Sequence, residues 1–137
     1  MSTYNESKEV KLEAGHEFPT VQYTLDKSTV RAYLEAVEET SDLYKNTVLV
    51  PPTAIAALAM AALAEGTHFP PGCIHTSQKL EFKHCTHIGD IIQCHSRIGQ
   101  SRKRAGMHFI TVAFFVEDLN KQELLNGETV FIAPQDA

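Results

Sequence analysis

The stretch that most restricts this chain is Ala54–Ala64, eleven residues of Ala, Ile, Leu and Met with no polar side chain among them. Pro51 and Pro52 lead into it through Thr53, and Glu65 and Gly66 follow. Proline suits the first turn of a helix, where its missing N–H would have had no partner, and glycine suits the end. The alanines between them are strong helix formers, and their small side chains let neighbouring backbone come close. A helix that is apolar on every side belongs in an interior. This one is too short to span a bilayer, which takes about 20 residues, and too rich in alanine to anchor well. Another part of the chain must wrap it.

Four later segments can do so. Cys73–Lys83, Asp90–Gln100, Met107–Asp118 and Leu124–Ala133 read as strands. Ile110, Val112, Phe114 and Val116 form a stripe of period two, with Thr111, Ala113 and Phe115 on the opposite face. Turn signals stand between the strands at Gly89-Asp90, at Gly106, and at Asn120 or Asn126-Gly127. No helix of useful length separates them, so the connections are expected to be antiparallel hairpins. Ahead of the apolar helix, Val21, Tyr23 and Leu25 alternate as a short strand. Asp26 then caps a helix whose Val30, Tyr33, Leu34 and Val37 share one face.

No repeat, low-complexity tract or linker divides the sequence, and 137 residues suit one domain, residues 1–137, with residues 1–13 as a loose arm. The expected class is α+β, an antiparallel sheet curled around a buried helix, which is the hot-dog arrangement. Phe109, Phe114, Phe115 and Phe131 fall on both sides of their strands. One protomer cannot cover both, so association through the sheet is expected.

Charge narrows the partners. Twelve basic against 17 acidic residues give a formal charge of −5, which favours neither nucleic acid nor an anionic membrane. Any anionic ligand would need a local basic cluster. The polar start of the chain has no apolar stretch of signal-peptide length, and Cys73, Cys85 and Cys94 are an odd number. Reduced thiols in the cytoplasm are the simpler reading. Cys73-Ile-His75, His84-Cys-Thr-His87 and Cys94-His95 invite a metal. None has the C-x-x-C or H-E-x-x-H spacing of a known site, and neighbours on a strand point to opposite faces. No metal and no cofactor are expected.

Three segments carry a family resemblance. Tyr33–Tyr44, YLEAVEETSDLY, is similar to an overhang pattern Y-A-x-A-x-G-D-x-N-P-x-H. Val50-Pro-Pro-Thr53 enters the apolar helix. Gly72–Phe82, GCIHTSQKLEF, precedes Gly89-Asp90 and resembles a strand and turn of the form H-x-x-Q-x-x-x-x…GD. In this order, from about Val21 to Pro134, the sequence resembles the MaoC-like dehydratases of the hot-dog superfamily, closest to their N-terminal, fatty-acid-synthase-type domains.

The resemblance implies addition of water to enoyl thioesters, or its removal from (R)-3-hydroxyacyl thioesters, on coenzyme A or acyl carrier protein. Such chemistry needs a base for the hydrogen alpha to the thioester and an acid for the departing hydroxyl. It also needs backbone donors aimed at the thioester oxygen. In the family, Asp and His of the overhang move the protons, and the helix N-terminus supplies a donor.

This chain departs there. Glu39 stands at the Asp position, Ser41 and Asp42 at the Asn-Pro positions, and Tyr44 in place of His. A tyrosine, with a usual pKa of about 10, is a poor base near neutrality. Pro51 and Pro52 lack amide hydrogens, which leaves Thr53 and Ala54 as the first oxyanion donors. His75 is the replacement base, or else a strand histidine bonded to a neighbour. Glu39 is a catalytic carboxylate or a solvated residue beside Glu35 and Glu38, and Tyr44 orients water or substrate or simply packs. Arg102, Lys103 and Arg104 form the one dense basic cluster, read as a hairpin end between the third and fourth wrapping strands. They either hold the phosphates of coenzyme A or phosphopantetheine or make a solvated turn.

The leading expectation is a hydratase or dehydratase subunit with an altered dyad, in a homodimer or in a heterodimer with a second hot-dog subunit that carries the intact Asp and His. An acyl-thioesterase is the alternative enzyme, although no acidic residue lies from Thr53 through Ala64. An acyl-chain binding module without turnover is the third reading.

Overall fold

The computed structural model describes residues 12–67 and 69–134. Val21–Thr24 form β1, whose Val21 and Tyr23 turn towards the apolar helix while Gln22 and Thr24 are exposed. Leu25 is fully buried, and Asp26 caps helix α1, Lys27–Ala36, by accepting from the Thr29 amide at 2.8 Å. Hydrogen bonding from Thr29 also holds the Asp26 carboxyl below the usual range. The expected stripe is present: Val30 is buried and Tyr33 and Leu34 are half-buried. Val37 closes the helix and is exposed.

After a 3-10 turn at Asp42–Tyr44 come β2, Leu49–Val50, and the apolar helix α2, Pro52–Gly66. The remaining strands are β3, Ile74–Phe82; β4, Thr86–His87; β5, Ile91–Arg104; β6, Met107–Asp118; and β7, Glu123–Pro134. The large sheet runs β1-β5-β6-β7-β3, with every pairing antiparallel. Strands β2 and β4 pair separately.

The core lies between this sheet and α2. Ile92, Cys94, Phe114, Val116, Leu124 and Leu125 pack with Ala54, Ile55, Ala56, Ala59 and Ala62. A second cluster joins Leu63 to Phe18, Ile98, Ile110, Val112 and Ala133. Full burial of a Leu or Ile side chain is worth about 1.5–3 kcal/mol. The central helix is not wrapped all round, however. Ala57, Ala61 and Ala64 remain exposed, because one curved sheet covers only one side of a helix.

Three further expectations need correction. The strand after α2 does not form a hairpin with the next long strand: β3 pairs with β7, at the opposite edge of the sheet from β1. The chain crosses between them through β4, which its pairing with β2 holds in place. Of the two turn candidates that follow β6, Asn120 lies in the turn, and Asn126-Gly127 lies inside β7, opposite Phe115 and Phe114. Arg102–Arg104 belong to the hairpin of β5 and β6, the second and third wrapping strands. They continue the ladder to Arg104↔Met107, because Ala105 and Gly106, both at positive φ, turn the chain in two residues.

Of the expected N-terminal arm, residues 1–11 lie outside the described residues. Leu12 is docked: its carbonyl accepts from Ser101 Oγ at 2.6 Å, and its side chain packs on the second cluster. Among the described residues, no helix is long and apolar enough to cross a membrane.

Candidate functional site

The segment between α1 and α2 is built by local hydrogen bonds. At the end of α1 the Glu38 amide donates to Glu35 O and the Glu39 amide to Leu34 O at 2.9 Å. This double closure places Glu38 at φ 56, a conformation usually given to glycine. Glu39 is exposed, and its Oε1 accepts from the Ser41 amide at 2.9 Å. Ser41 Oγ in turn accepts from the Leu43 amide at 3.2 Å, starting the 3-10 turn that ends at Tyr44. The Glu39 carboxylate is thereby tied to its own turn.

Tyr44 is half-buried and lines a cavity of about 510 Å³ with Val30, Arg31, Leu34, Val48 and Ile88. Its counterpart on the helix side is less expected. The hydroxyl of Tyr33 donates to Thr53 Oγ1 at 2.6 Å, linking α1 to the first turn of α2. In the sequence Tyr33 reads as part of an apolar helix face and as the first residue of the overhang pattern. Its partner lies 20 residues away in sequence, and local periodicity carries no sign of that.

The two oxyanion candidates separate. The Ala54 amide already donates to Pro51 O at 3.0 Å. The Thr53 amide, at the second helical position, lies in the turn whose N–H groups lack intrahelical acceptors. Thr53 is exposed, so this donor faces out of the helix end.

His75 does not join this group. Its Nε2 lies 2.5 Å from Thr129 Oγ1 and 3.0 Å from Ser77 O, and its ring stacks on Phe131 at 4.9 Å. The ladder puts Ile74 opposite Ile132 and Phe82 opposite Leu125. Val50 and Pro52 share a small cavity with Phe82, so the overhang lies at the Phe82 end. Seven strand steps of about 3.3 Å separate His75 from Phe82. Within one protomer, His75 therefore cannot relay protons with Glu39 or Tyr44.

The basic triplet is also divided. Ser101 faces the core side, where its Oγ is 2.5 Å from His108 Nε2. Strand alternation then puts Lys103 on that side and Arg102 and Arg104 on the other. Burial, followed by the nearby Lys103 charge, lowers the pKa of His108. The cysteines split likewise: Cys94 is buried, and burial pushes its thiol up to about 12, whereas Cys85 is exposed.

With this geometry in hand, the comparisons are consistent. No curated protein matches the sequence. The R-hydratase PhaJ1 from Pseudomonas aeruginosa, in its unliganded form, superposes with a TM-score of 0.73 at 19% identity, covering 90% of this chain and 83% of that one. The (R)-hydratase from A. caviae involved in PHA biosynthesis gives 0.73 at 19% identity, covering 88% and 96%. The C-terminally truncated HadBC (3R-hydroxyacyl-ACP dehydratase) complex from Mycobacterium tuberculosis gives 0.69 at 15% identity, covering 92% and 100%. These likenesses establish the hot-dog fold. The model of the FAS1-like dehydratase domain region matches residues 13–130, so the chain belongs to that family of dehydratase domains.

Proposed function

We propose that this chain is the non-catalytic or catalytically incomplete subunit of a MaoC-like (R)-3-hydroxyacyl-thioester dehydratase or enoyl-thioester hydratase. It holds an acyl thioester of coenzyme A or acyl carrier protein beside the overhang and the first turn of α2. The observation that carries this reading is the state of the overhang. Its turn is closed by its own hydrogen bonds, with Glu39 engaged by the Ser41 amide, and the family resemblance puts Tyr44 at the position of a proton-shuttling His. In this reading the Thr53 amide meets the oxygen on which negative charge develops. The overhang, Tyr33–Tyr44, holds no histidine to move protons near neutral pH.

A second hot-dog subunit would supply the acid and the base. HadBC is itself a complex, and so is the structurally similar ChsH1-ChsH2 from Mycobacterium tuberculosis. Strand β3 supports association here: it is an edge strand, all nine of its residues are exposed, and Ile74 and Phe82 keep 62% and 45% of their surface open. Such an edge presents unpaired N–H and C=O groups to another strand. Free cysteines, Cys85 among them exposed, support a reducing, cytoplasmic setting.

The test is turnover by the purified chain alone on crotonyl-coenzyme A and longer enoyl thioesters. The expected result is hydration at background, with a gain in the double variant Glu39→Asp, Tyr44→His, which rebuilds the family's pair. Clear hydration by the unmodified chain alone would end the partner-dependent reading. Replacing both Ile74 and Phe82 with Lys should lower the oligomeric state in sedimentation, and an unchanged state would remove β3 as the contact.

A further inference from the structure

The outer face of the sheet, away from α2, carries a second arrangement of reactive groups that the overhang does not use. Thr20, just before β1, has its Oγ1 3.0 Å from His95 Nδ1. The other ring nitrogen, Nε2, lies 2.9 Å from Glu117 Oε1. Glu117 is only 8% exposed, and Lys121 Nζ lies 3.4 Å from the same oxygen. A carboxylate can only accept, so Nε2 carries the hydrogen and Nδ1 presents its lone pair to the Thr20 hydroxyl. The imidazole is fixed by stacking on Phe115, with centroids 4.5 Å apart and 17° between planes. Hydroxyl, imidazole and buried carboxylate thus lie in one line, in the order that removes a proton from the hydroxyl.

This line opens on a cavity of about 830 Å³. Thr20, His95 and Arg97 edge one side, Ala113 and Phe115 are among its lining, and Lys79 comes from β3. Arg97 is two residues along β5 from His95 and so on the same face. Glu17, Glu81, Glu123 and Glu128 also line the cavity. Four carboxylates against two cations disfavour an anionic ligand, and the phenylalanine and alanine surface suits a short apolar group.

We propose that Thr20, His95 and Glu117 form an acyl-transfer site for short, uncharged, activated acyl esters, with Thr20 as nucleophile, His95 as its base and Glu117 as positioning residue. As Thr20 Oγ1 bonds to the acyl carbon, His95 Nδ1 takes the hydroxyl proton. Arg97 offers donors to the carbonyl oxygen, where the charge gathers. The bond to the leaving group then breaks, and that group takes the proton from His95. Water follows the same route, breaks the Thr20 ester and releases the carboxylic acid, which the surrounding glutamates repel once it ionises. No oxidant, reductant or metal enters the balance.

The test uses the full chain and p-nitrophenyl acetate. Thr20→Val, isosteric at an exposed position, should lower kcat/KM about a hundred-fold or more, as should His95→Gln. Glu117→Gln should lower kcat at least about ten-fold with KM unchanged, which a loss of fold would not produce. Mass spectrometry of the quenched reaction should place the acetyl group on the Thr20 peptide. Thr20→Val acting at the native rate, or acetylation elsewhere with Thr20 unmodified, would overturn the proposal. Because Thr20 lies outside the overhang, thioester binding there should be unaffected by this variant, and the two readings fail separately.

Discussion

The ring of Phe114 lies across Gly127 on the neighbouring strand, so close that a β-carbon added to Gly127 would stand 2.7 Å from its Cζ. The carbonyl oxygen of Lys79, on the other side, would be closer still. Glycine here is a packing requirement of a strand interior, where it would otherwise weaken the sheet. Gly127→Ala should cost about 3 kcal/mol in denaturant unfolding, since neither the backbone nor the buried ring can retreat. Gly99→Ala is the control. Its β-carbon would meet only Thr111 O, at 3.8 Å, and its cost should stay within about 0.5 kcal/mol.

Glu38 holds the left-handed conformation that closes α1, at φ 56. A β-carbon there costs about 1 kcal/mol relative to glycine. Glu38→Gly should therefore raise stability by about 0.5–1 kcal/mol, read as a shift in denaturation midpoint at unchanged slope. Glu38→Val should lower it.

The Tyr33–Thr53 hydrogen bond ties the overhang's helix to the helix whose first turn would face the thioester. Tyr33→Phe and Thr53→Ala should each cost about 0.5–1.5 kcal/mol. A double-mutant cycle should show coupling of about 1 kcal/mol, whereas additive effects would mean that the two hydroxyls act independently.

Cys94 gives the chain an alkaline limit. Burial raises its folded-state pKa to about 12, while the unfolded thiol ionises near about 8.5. The unfolded chain therefore releases this proton first as pH rises. The stability contribution is full below the unfolded value and is lost between the two pKa values, by up to about 1.4 kcal/mol per pH unit. Cys94→Ala should flatten that fall in a comparison of pH 8 with pH 10. At pH 8 a disulfide exchange reagent should modify the exposed Cys85 quickly, the half-buried Cys73 more slowly, and Cys94 only on unfolding.

Much of the fold was legible because its signals are local. The apolar run at Ala54–Ala64, the stripe from Ile110 to Val116 and the Asp26 cap depend on residues a few positions apart. Their two helices and strand appear where the periodicity puts them. Strand order was not legible: Phe82 finds Leu125 only when the whole sheet closes. Asn126-Gly127 has the composition of a turn, and it is the ring of Phe114, from another strand, that explains the glycine. His75 suffered likewise, since its distance from Tyr44 follows from the pairing of β3 with β7. The Thr20–His95–Glu117 line joins residues 75 and 22 positions apart. Seen beside Cys94, His95 suggested only a metal ligand.

The proposed function requires this chain to hold an acyl thioester at the overhang without turning it over. Calorimetric titration of the purified chain with crotonyl-coenzyme A, followed by recovery of the ligand, measures both at once. The expected result is saturable binding, weakened by Thr53→Pro, which removes the amide hydrogen at the second helical position, with the enoyl thioester recovered intact. Absence of binding, or recovery of the hydrated product, would contradict it.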